Sequence, residues 1–372
     1  MIIDGIKYRT IWTDTENRET VCVINQNILP FKFEIVQLTT STDIIHAIKE
    51  MIVRGAPLIG LTGAYGVYLA LLDAERNKMK GDIDEYVTGK CHAIIGARPT
   101  AVNLKWAVDK TLKKVIASKS LRNKIDSALR TAESIADKDV SSCKKIGLHG
   151  LKIVKEIIRQ KKKKVINILT HCNAGWLATI DYGTALSPVY HAKEAGIDVN
   201  VWVEETRPRN QGSRLTAWEL EQNGVDYTII TDNAGGYVMQ KGMVDMVIVG
   251  SDRTTLKGDV CNKVGTYKTA LAAYANKIPF YAAVPLSSFD LSIKNALNEI
   301  PIEERDIDEI KYAEYFDGKN IKRGLITFDT DNIKNFGFDI TPSKYVTGLI
   351  TEKGIVAPNE KQIRNLFNKQ SS

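Results

Sequence analysis

The hydrophobic pattern changes texture part-way along the chain. In residues 1 to about 35 apolar and polar positions alternate in short runs that predict strands. Ile6 and Tyr8 alternate with Lys7 and Arg9, and Val21 to Ile24 is an apolar run closed by the polar turn Asn25-Gln26-Asn27. Helical spacing then takes over. Ile44, Ile45, Ala47 and Ile48 predict a helix over Thr40 to Lys49, with Ser41 or Thr42 as its N-cap. Leu58 to Leu72 reads as a helix rich in small residues. Residues 104–135 read as an amphipathic, lysine-rich helix, and residues 144–160 as another, closed by Lys161 to Lys164.

Beyond that point short apolar runs recur: Val165–Leu169, Val199–Val203, Tyr227–Ile230, Val244–Val249 and Pro279–Val284. Helical stretches separate most of them: Gly183–Ala195, Leu215–Asn223, Gly235–Lys241 and Thr266–Ala275. Strands that are buried on both faces read as continuous apolar runs, and their alternation with helices predicts a parallel, doubly wound sheet. The fold class is therefore α/β. A smaller α+β N-terminal domain is expected over residues 1–145 and a catalytic domain over residues 146–372. The tail, Asn365 to Ser372, is expected to fray.

Composition narrows the function classes. No uncharged apolar run approaches the ~20 residues of a membrane span, so no membrane role is expected. The first residues lack the basic-then-apolar layout of a signal peptide, and the cytoplasm is the expected compartment. Five scattered cysteines without a C-x-x-C pair argue against a disulfide framework or a structural zinc site. The net charge of +7 comes mainly from lysines on predicted helix surfaces, with no interleaved aromatics, so no nucleic-acid partner is expected. Gly60, Gly63 and Gly66 read as close helix packing, because a dinucleotide fingerprint has a different spacing and a preceding strand.

The candidate chemistry collects where the second-half strands end. These ends read Thr170-His171-Cys172, Glu204-Glu205-Thr206-Arg207, Thr231-Asp232-Asn233, Ser251-Asp252-Arg253 and Pro285-Leu286-Ser287-Ser288. In a parallel sheet they share one rim, where open α/β folds bind ligands. Cys172 and Asp252 on two of these ends are candidates for an acid–base pair. A thiol beside a helix N-terminus becomes a usable base, and Asn173-Ala174-Gly175 is expected to begin such a helix or turn. His171 should point to the opposite face, so a dyad with Cys172 is not expected. Asn262-Lys263-Val264-Gly265-Thr266 reads as a loop opening a helix and suits a phosphate, although no Walker A pattern is present. Arg54, Arg98 and the three arginines of residues 207–214 offer guanidinium forks for phosphate or sugar hydroxyls. Each of these residues also has an ordinary reading: a buried small thiol, a helix cap, or a surface ion pair.

Taken together, Arg54-Gly55-Ala56-Pro57, Arg98-Pro99-Thr100-Ala101-Val102-Asn103-Leu104, Thr170 to Gly175, Glu205 to Thr216, Gly250 to Arg253, Gly258 to Tyr267, Pro285 to Asp290 and Phe338 to Pro342 occur in one order along the whole chain. In this the sequence resembles the methylthioribose-1-phosphate isomerases of methionine salvage. The resemblance implies a Rossmann-like C-terminal domain, a homodimer, no cofactor, no metal and a small sugar phosphate as substrate. It places the catalytic cysteine on Cys172 and the acid on Asp252. It places phosphate and sugar contacts on Arg54, Gly55, Ala56, Arg98, Gln211, Asn262 and Lys263. Ser251 and Cys261 stand where alanine is common in that family, and neither change removes a proposed functional group.

The same fold is expected of isomerases acting on ribose 1,5-bisphosphate, and 5-deoxyribose 1-phosphate is a further alternative substrate. The fold is also expected of the non-catalytic regulatory subunits of translation initiation factor 2B. Fold alone does not choose among them.

Overall fold

In the computed structural model, which describes residues 1–368, the N-terminal alternation closes into small sheets. A short hairpin pairs β1 (Ile2–Ile3) with β2 (Ile6–Lys7). A three-stranded antiparallel sheet follows: β3 (Ile11–Thr13), β4 (Val21–Ile24) and β5 (Ile35–Leu38), with β4 in the middle. Helix α1 (Ser41–Lys49) is capped by Thr40, one residue before the predicted caps. Its side chain accepts the Asp43 N–H while the Asp43 carboxylate accepts the Thr40 N–H, a reciprocal capping box.

Three more helices complete this region: α2 (Ala56–Arg76), α3 (Ile83–Gly96) and α4 (Val102–Ile116). The periodicity did not reveal α3, which Asp82 caps by accepting the N–H groups of Asp84 and Glu85. A side chain at Gly60, Gly63 or Gly66 would press on Asn103, Leu104 or Ile94, so the glycine stripe of α2 is close packing against α3 and α4. Helix α2 is long and apolar enough, by length and composition, to cross a membrane, contrary to expectation. Most of its apolar stretch, 83%, is buried among the other residues.

The next two predicted helices are cut in different places. α4 ends at Ile116, and α5 runs unbroken from Leu121 to Lys161. The break comes at Ala117–Ser120, where the Ser120 hydroxyl accepts the Asn123 N–H. Ala136 to Cys143 contains no glycine or proline to stop the helix.

A seven-stranded sheet organises the second half. Its strands are β6 (Val165–Thr170), β7 (Asp198–Glu204), β8 (Asp226–Ile230), β9 (Met246–Val249), β12 (Phe280–Ala283), β17 (Gly348–Thr351) and β18 (Gly354–Val356), in the order β18-β17-β12-β9-β6-β7-β8. All neighbours are parallel except β17 and β18. The crossovers carry α6 (Ser187–Glu194), α7 (Ala217–Gln222), α8 (Gly235–Gln240) and α9 (Thr266–Ala275). Leu169, Val247, Val249, Phe280, Ala282 and Leu349 form its buried core with α8 and α9.

A second sheet joins β13 (Phe289–Asp290), β10 (Arg253–Thr255), β11 (Val260–Lys263) and β16 (Phe338–Thr341), in that order. Its members are short and far apart in sequence, and the apolar pattern did not show them. Between them lie α10 (Ala296–Glu299), α11 (Asp308–Lys311) and a hairpin of β14 (Tyr312–Phe316) with β15 (Ile321–Leu325). The last element, α12 (Glu360–Asn368), is a formed helix that buries Ile363 and Leu366, so the expected fraying is not seen over Asn365–Asn368. The rest of that tail lies outside the described residues.

The chain thus comprises two compact units. One contains Lys7–Ser141 and Trp176–Asp181; the other contains Met1–Ile6, Ser142–Gly175 and the residues from Tyr182 onward.

Candidate active site

Cys172 follows β6 and Asp252 follows β9, which are adjacent parallel strands. Thr170 Oγ1 donates to the Ile248 carbonyl at 2.8 Å and ties the two ends together. Just beyond, the chains run so close that a Cβ on Gly250 would lie 2.7 Å from the Cβ of Ala174. The segments bearing Cys172 and Asp252 are therefore neighbours. The Asp252 N–H donates to the Cys261 carbonyl at 3.0 Å, which adds β11 and its residues Asn262 and Lys263 to the same region. Burial pushes the Cys261 thiol up to about 12.

No α-helix begins at residues 173–175, and a 3-10 helical turn, Trp176–Ala178, follows them directly. Cys172 instead occupies the left-handed backbone region, with φ 66°, which a non-glycine residue adopts only when its surroundings hold it there. Two threonines do so. The Cys172 N–H donates to Thr206 Oγ1 at 2.8 Å, and Thr216 Oγ1 donates to the Cys172 carbonyl at 2.8 Å. Thr206 is itself left-handed, with φ 65°, and its N–H and that of Arg207 donate to the two oxygens of Asp232 at 2.7 and 2.8 Å. Asn173 Nδ2 donates to Glu219 Oε1, and the Tyr190 hydroxyl to Glu219 Oε2, each at 2.9 Å. Residue-type reasoning at the strand ends found Thr206 and Asp232, and Thr216 closes one of the stretches that carry the resemblance, whereas Tyr190 and Glu219 lie inside helices and carry no sequence signal.

Gln211 begins a π-helical turn, Gly212–Thr216, that runs into α7. It is buried, and its amide Oε1 has no hydrogen-bond partner among the described residues. A buried acceptor left bare costs roughly 1–3 kcal/mol, so this oxygen is suited to a ligand donor. The arginines around it have other work. Arg207 donates to the Ile310 carbonyl at 3.1 Å, Arg209 pairs with Glu309 at 3.2 Å, and Arg214 pairs with Glu314 at 2.6 Å. They fasten the loop to the segment from Glu309 to Glu314, where the sequence suggested ligand forks.

Asn262 and Lys263 are the last residues of β11, not a loop. Lys263 is buried, and its Nζ lies 4.9 Å from the centre of the Phe338 ring. Two of the N–H groups at the start of α9 already have an acceptor. Asp339 accepts the N–H groups of Gly265 at 2.6 Å and Tyr267 at 3.1 Å, so the anion at this helix start belongs to the protein. Burial nonetheless holds the Asp339 carboxyl above its usual range.

Both ring nitrogens of His171 are engaged away from Cys172, with Glu204 Oε2 at 2.7 Å and the Val264 carbonyl at 2.9 Å. His171, Glu204 and Asp232 have ligand atoms within 4.8 Å of one another, a grouping that suggests a cation. The Nδ1 hydrogen bond to Glu204 Oε2 and the two backbone bonds to Asp232 engage part of this group, while Glu204 Oε1 is buried with no hydrogen-bond partner among the described residues.

The remaining candidates belong to the N-terminal unit. Arg54 is buried, Gly55 caps α2 at φ 90°, Ala56 is its first helical residue and Arg98 is half-buried. Gly55 permits no side chain, since a Cβ would lie 2.4 Å from the Ala178 carbonyl oxygen.

The initiation factor 2 subunit family matches residues 52–358. A methylthioribose-1-phosphate isomerase of Desulfatibacillum aliphaticivorans is 51% identical over 370 residues, covering 99% of each chain. The chain belongs to the methylthioribose-1-phosphate isomerase family. Another isomerase of that family, from Desulfosudis oleivorans, is 50% identical over 98% of each chain. The solved 5-methylthioribose 1-phosphate isomerase of Pyrococcus horikoshii OT3 superimposes with a TM-score of 0.82 at 36% identity, covering 98% of this chain and 97% of that one. A structure described as translation initiation factor eIF-2B, subunit delta, from A. fulgidus gives 0.79 at 38% identity, covering 96% and 100%. The isomerase family and the initiation-factor subunits thus share this architecture, and the difference between them must lie in the site.

Proposed function

We propose that this chain is an aldose–ketose isomerase that converts 5-methylthioribose 1-phosphate to 5-methylthioribulose 1-phosphate in methionine salvage. The supporting observation is the strained, doubly tethered backbone of Cys172 beside the segment that carries Asp252. The family relatives' names supply the substrate.

The substrate's anomeric oxygen carries the phosphate, so the ring does not open to a free aldehyde. The Asp252 carboxyl delivers its proton to the ring oxygen as the bond from that oxygen to C1 breaks. The phosphate ester oxygen stabilises the cationic C1. The C2 hydrogen then leaves C2 by one of two balanced routes. Cys172 as thiolate takes it as a proton, giving a phosphoenol, and returns a proton to C1. Alternatively it moves to C1 with its electron pair, with Cys172 lining the path. In both routes the C2 hydroxyl proton passes to the Asp252 carboxylate, which restores the enzyme. Deuterium placed at C2 separates the routes, since it exchanges with water in the first and stays with the product in the second.

Lys263, Asn262 and Gln211 are assigned to the phosphate and sugar hydroxyls, with Gln211 Oε1 accepting from a hydroxyl. Arg54, Gly55, Ala56 and Arg98 keep the substrate-binding role that the resemblance implies. Arg98→Ala is expected chiefly to raise KM. We also assign the protein to the cytoplasm as a homodimer. Its five free cysteines fit a reducing compartment, and sedimentation would test the dimer.

The deciding experiment is phosphorus NMR of the purified chain with methylthioribose 1-phosphate. A ketose 1-phosphate resonance that is absent with Cys172→Ser supports the reading. Turnover only of 5-deoxyribose 1-phosphate or ribose 1,5-bisphosphate moves the substrate assignment. No turnover of any, with indifference to Cys172→Ser, favours the regulatory-subunit reading.

A further inference from the structure

His171 is buried one residue before Cys172, and every atom that bonds to its ring is an acceptor. A backbone carbonyl cannot donate, so Nε2 must carry a hydrogen toward Val264. Nδ1 lies 2.7 Å from Glu204 Oε2, a carboxylate oxygen that Thr269 Oγ1 also approaches at 2.8 Å while reaching the Gly265 carbonyl at 3.0 Å. The charged groups around the ring are Glu204 at the end of β7, Asp232 after β8 at 3.9 Å, Asp339 of β16, and Lys268 of α9, which lies 4.0 Å from Glu204 Oε1. Burial pushes the imidazole pKa down, and the bond and charge of Glu204, helped by Asp232, more than offset it, so the net shift is upward.

The Val264 carbonyl is the next one after Lys263. The chain turns there through Gly265 at φ 104°, pressed so close to the ring that a Cβ would lie 2.8 Å from His171 Cε1. One side chain therefore joins the strand end that carries Cys172 to the turn that follows Asn262 and Lys263.

We propose that His171 is a positioning residue, an imidazolium that braces the Cys172 strand end against the Val264 carbonyl and thereby sets Asn262 and Lys263 for the substrate. The proposal rests on the isomerase reading for its effect on turnover, and on the hydrogen-bond geometry alone for the brace.

Two measurements on the full chain test it. Selective nitrogen-15 labelling of histidine reads both ring nitrogens directly. Two protonated nitrogens on His171 at neutral pH are expected, and a bare or metal-bound nitrogen there overturns the imidazolium. His171→Gln keeps a donor near the Nε2 position, and His171→Asn keeps one near the Nδ1 position. The glutamine variant should hold KM near the wild-type value, while the asparagine variant should raise it about tenfold, as for a lost charge-assisted contact. The asparagine variant should also exchange its Val264 and Gly265 amide hydrogens faster. Equal KM in the two variants, or unchanged exchange in the asparagine variant, overturns the brace. If the wild-type chain turns over no sugar phosphate, the isomerase reading fails, and amide exchange still decides the brace.

Discussion

The backbone N–H of Cys172 donates to Thr206 Oγ1 at 2.8 Å, and both residues have left-handed backbones, φ 66° and 65°. A backbone of this kind costs about 1–3 kcal/mol per residue and persists only where neighbours hold it. Here the strand ends of β6 and β7 hold each other, and Asp232 secures Thr206 from the far side through its backbone N–H. The strain is thus placed on the residue that the isomerase reading makes catalytic.

Thr206→Val keeps the shape and removes the acceptor. The buried Cys172 N–H is then left bare, at a cost of about 1–3 kcal/mol. The expected result is a lower urea midpoint together with a fall in kcat, as the Cys172 backbone relaxes. A variant that loses stability while keeping full kcat would separate the tether from the chemistry.

Cys172→Ser and Asp252→Asn are each expected to fold normally and to lose at least ~100-fold in kcat, the usual scale for a lost acid or base. Circular dichroism and thermal melts check the fold, and phosphorus NMR checks turnover. A near-native rate in either variant would sink the assignment of that residue.

Gly250→Ala places a methyl group 2.7 Å from the Ala174 Cβ, a separation that real Cβ atoms do not show. One of the two segments must move, and these are the segments that carry Cys172 and Asp252. Overpacking of this kind costs roughly 1–3 kcal/mol. Activity should fall further than stability, because a displacement of about 1 Å at reacting groups alone costs on the order of 100-fold. Steady-state kinetics on a variant whose melting temperature has been measured provides the comparison.

The central sheet was legible because its inner strands are buried on both faces, and the apolar run survives even in the largely exposed edge strand β8. Val165–Leu169, Val199–Val203 and Tyr227–Ile230 read as apolar runs and became β6, β7 and β8. The carboxyl-end placement of Cys172 and Asp252 follows from the same pattern. The sequence did not reveal what the groups at those ends bond to. Thr206 lies 34 residues from Cys172, and Asp339 lies 74 residues from the Gly265 N–H that it accepts. Asp339, brought in by the pairing of β11 with β16, accepts two N–H groups at the start of α9 that local reading left open. The break between α4 and α5 was misplaced for a local reason: Ser120 offers a cap, whereas Ala136–Cys143 offers no stop.

Asp245 gives a pH test that is independent of catalysis. Its carboxylate is buried and accepts from Lys161 and Lys163, each at 2.7 Å, and from the Asn167 N–H at 2.9 Å. Burial pushes its pKa up, and these hydrogen bonds and the lysine charges more than offset it, so the folded value lies below the ordinary one. In acid the unfolded chain therefore binds this proton before the folded chain does. The stability contributed here is complete above the unfolded aspartate pKa of about 3.9 and is lost as pH falls through the folded value. Asp245→Asn removes the charge that both lysines meet and should cost about 1–3 kcal/mol near pH 7. Urea midpoints of variant and wild type should differ near neutrality and converge as pH drops below about 4. A gap that stays constant across that range would show that packing at this position, rather than the charge, carries the stability.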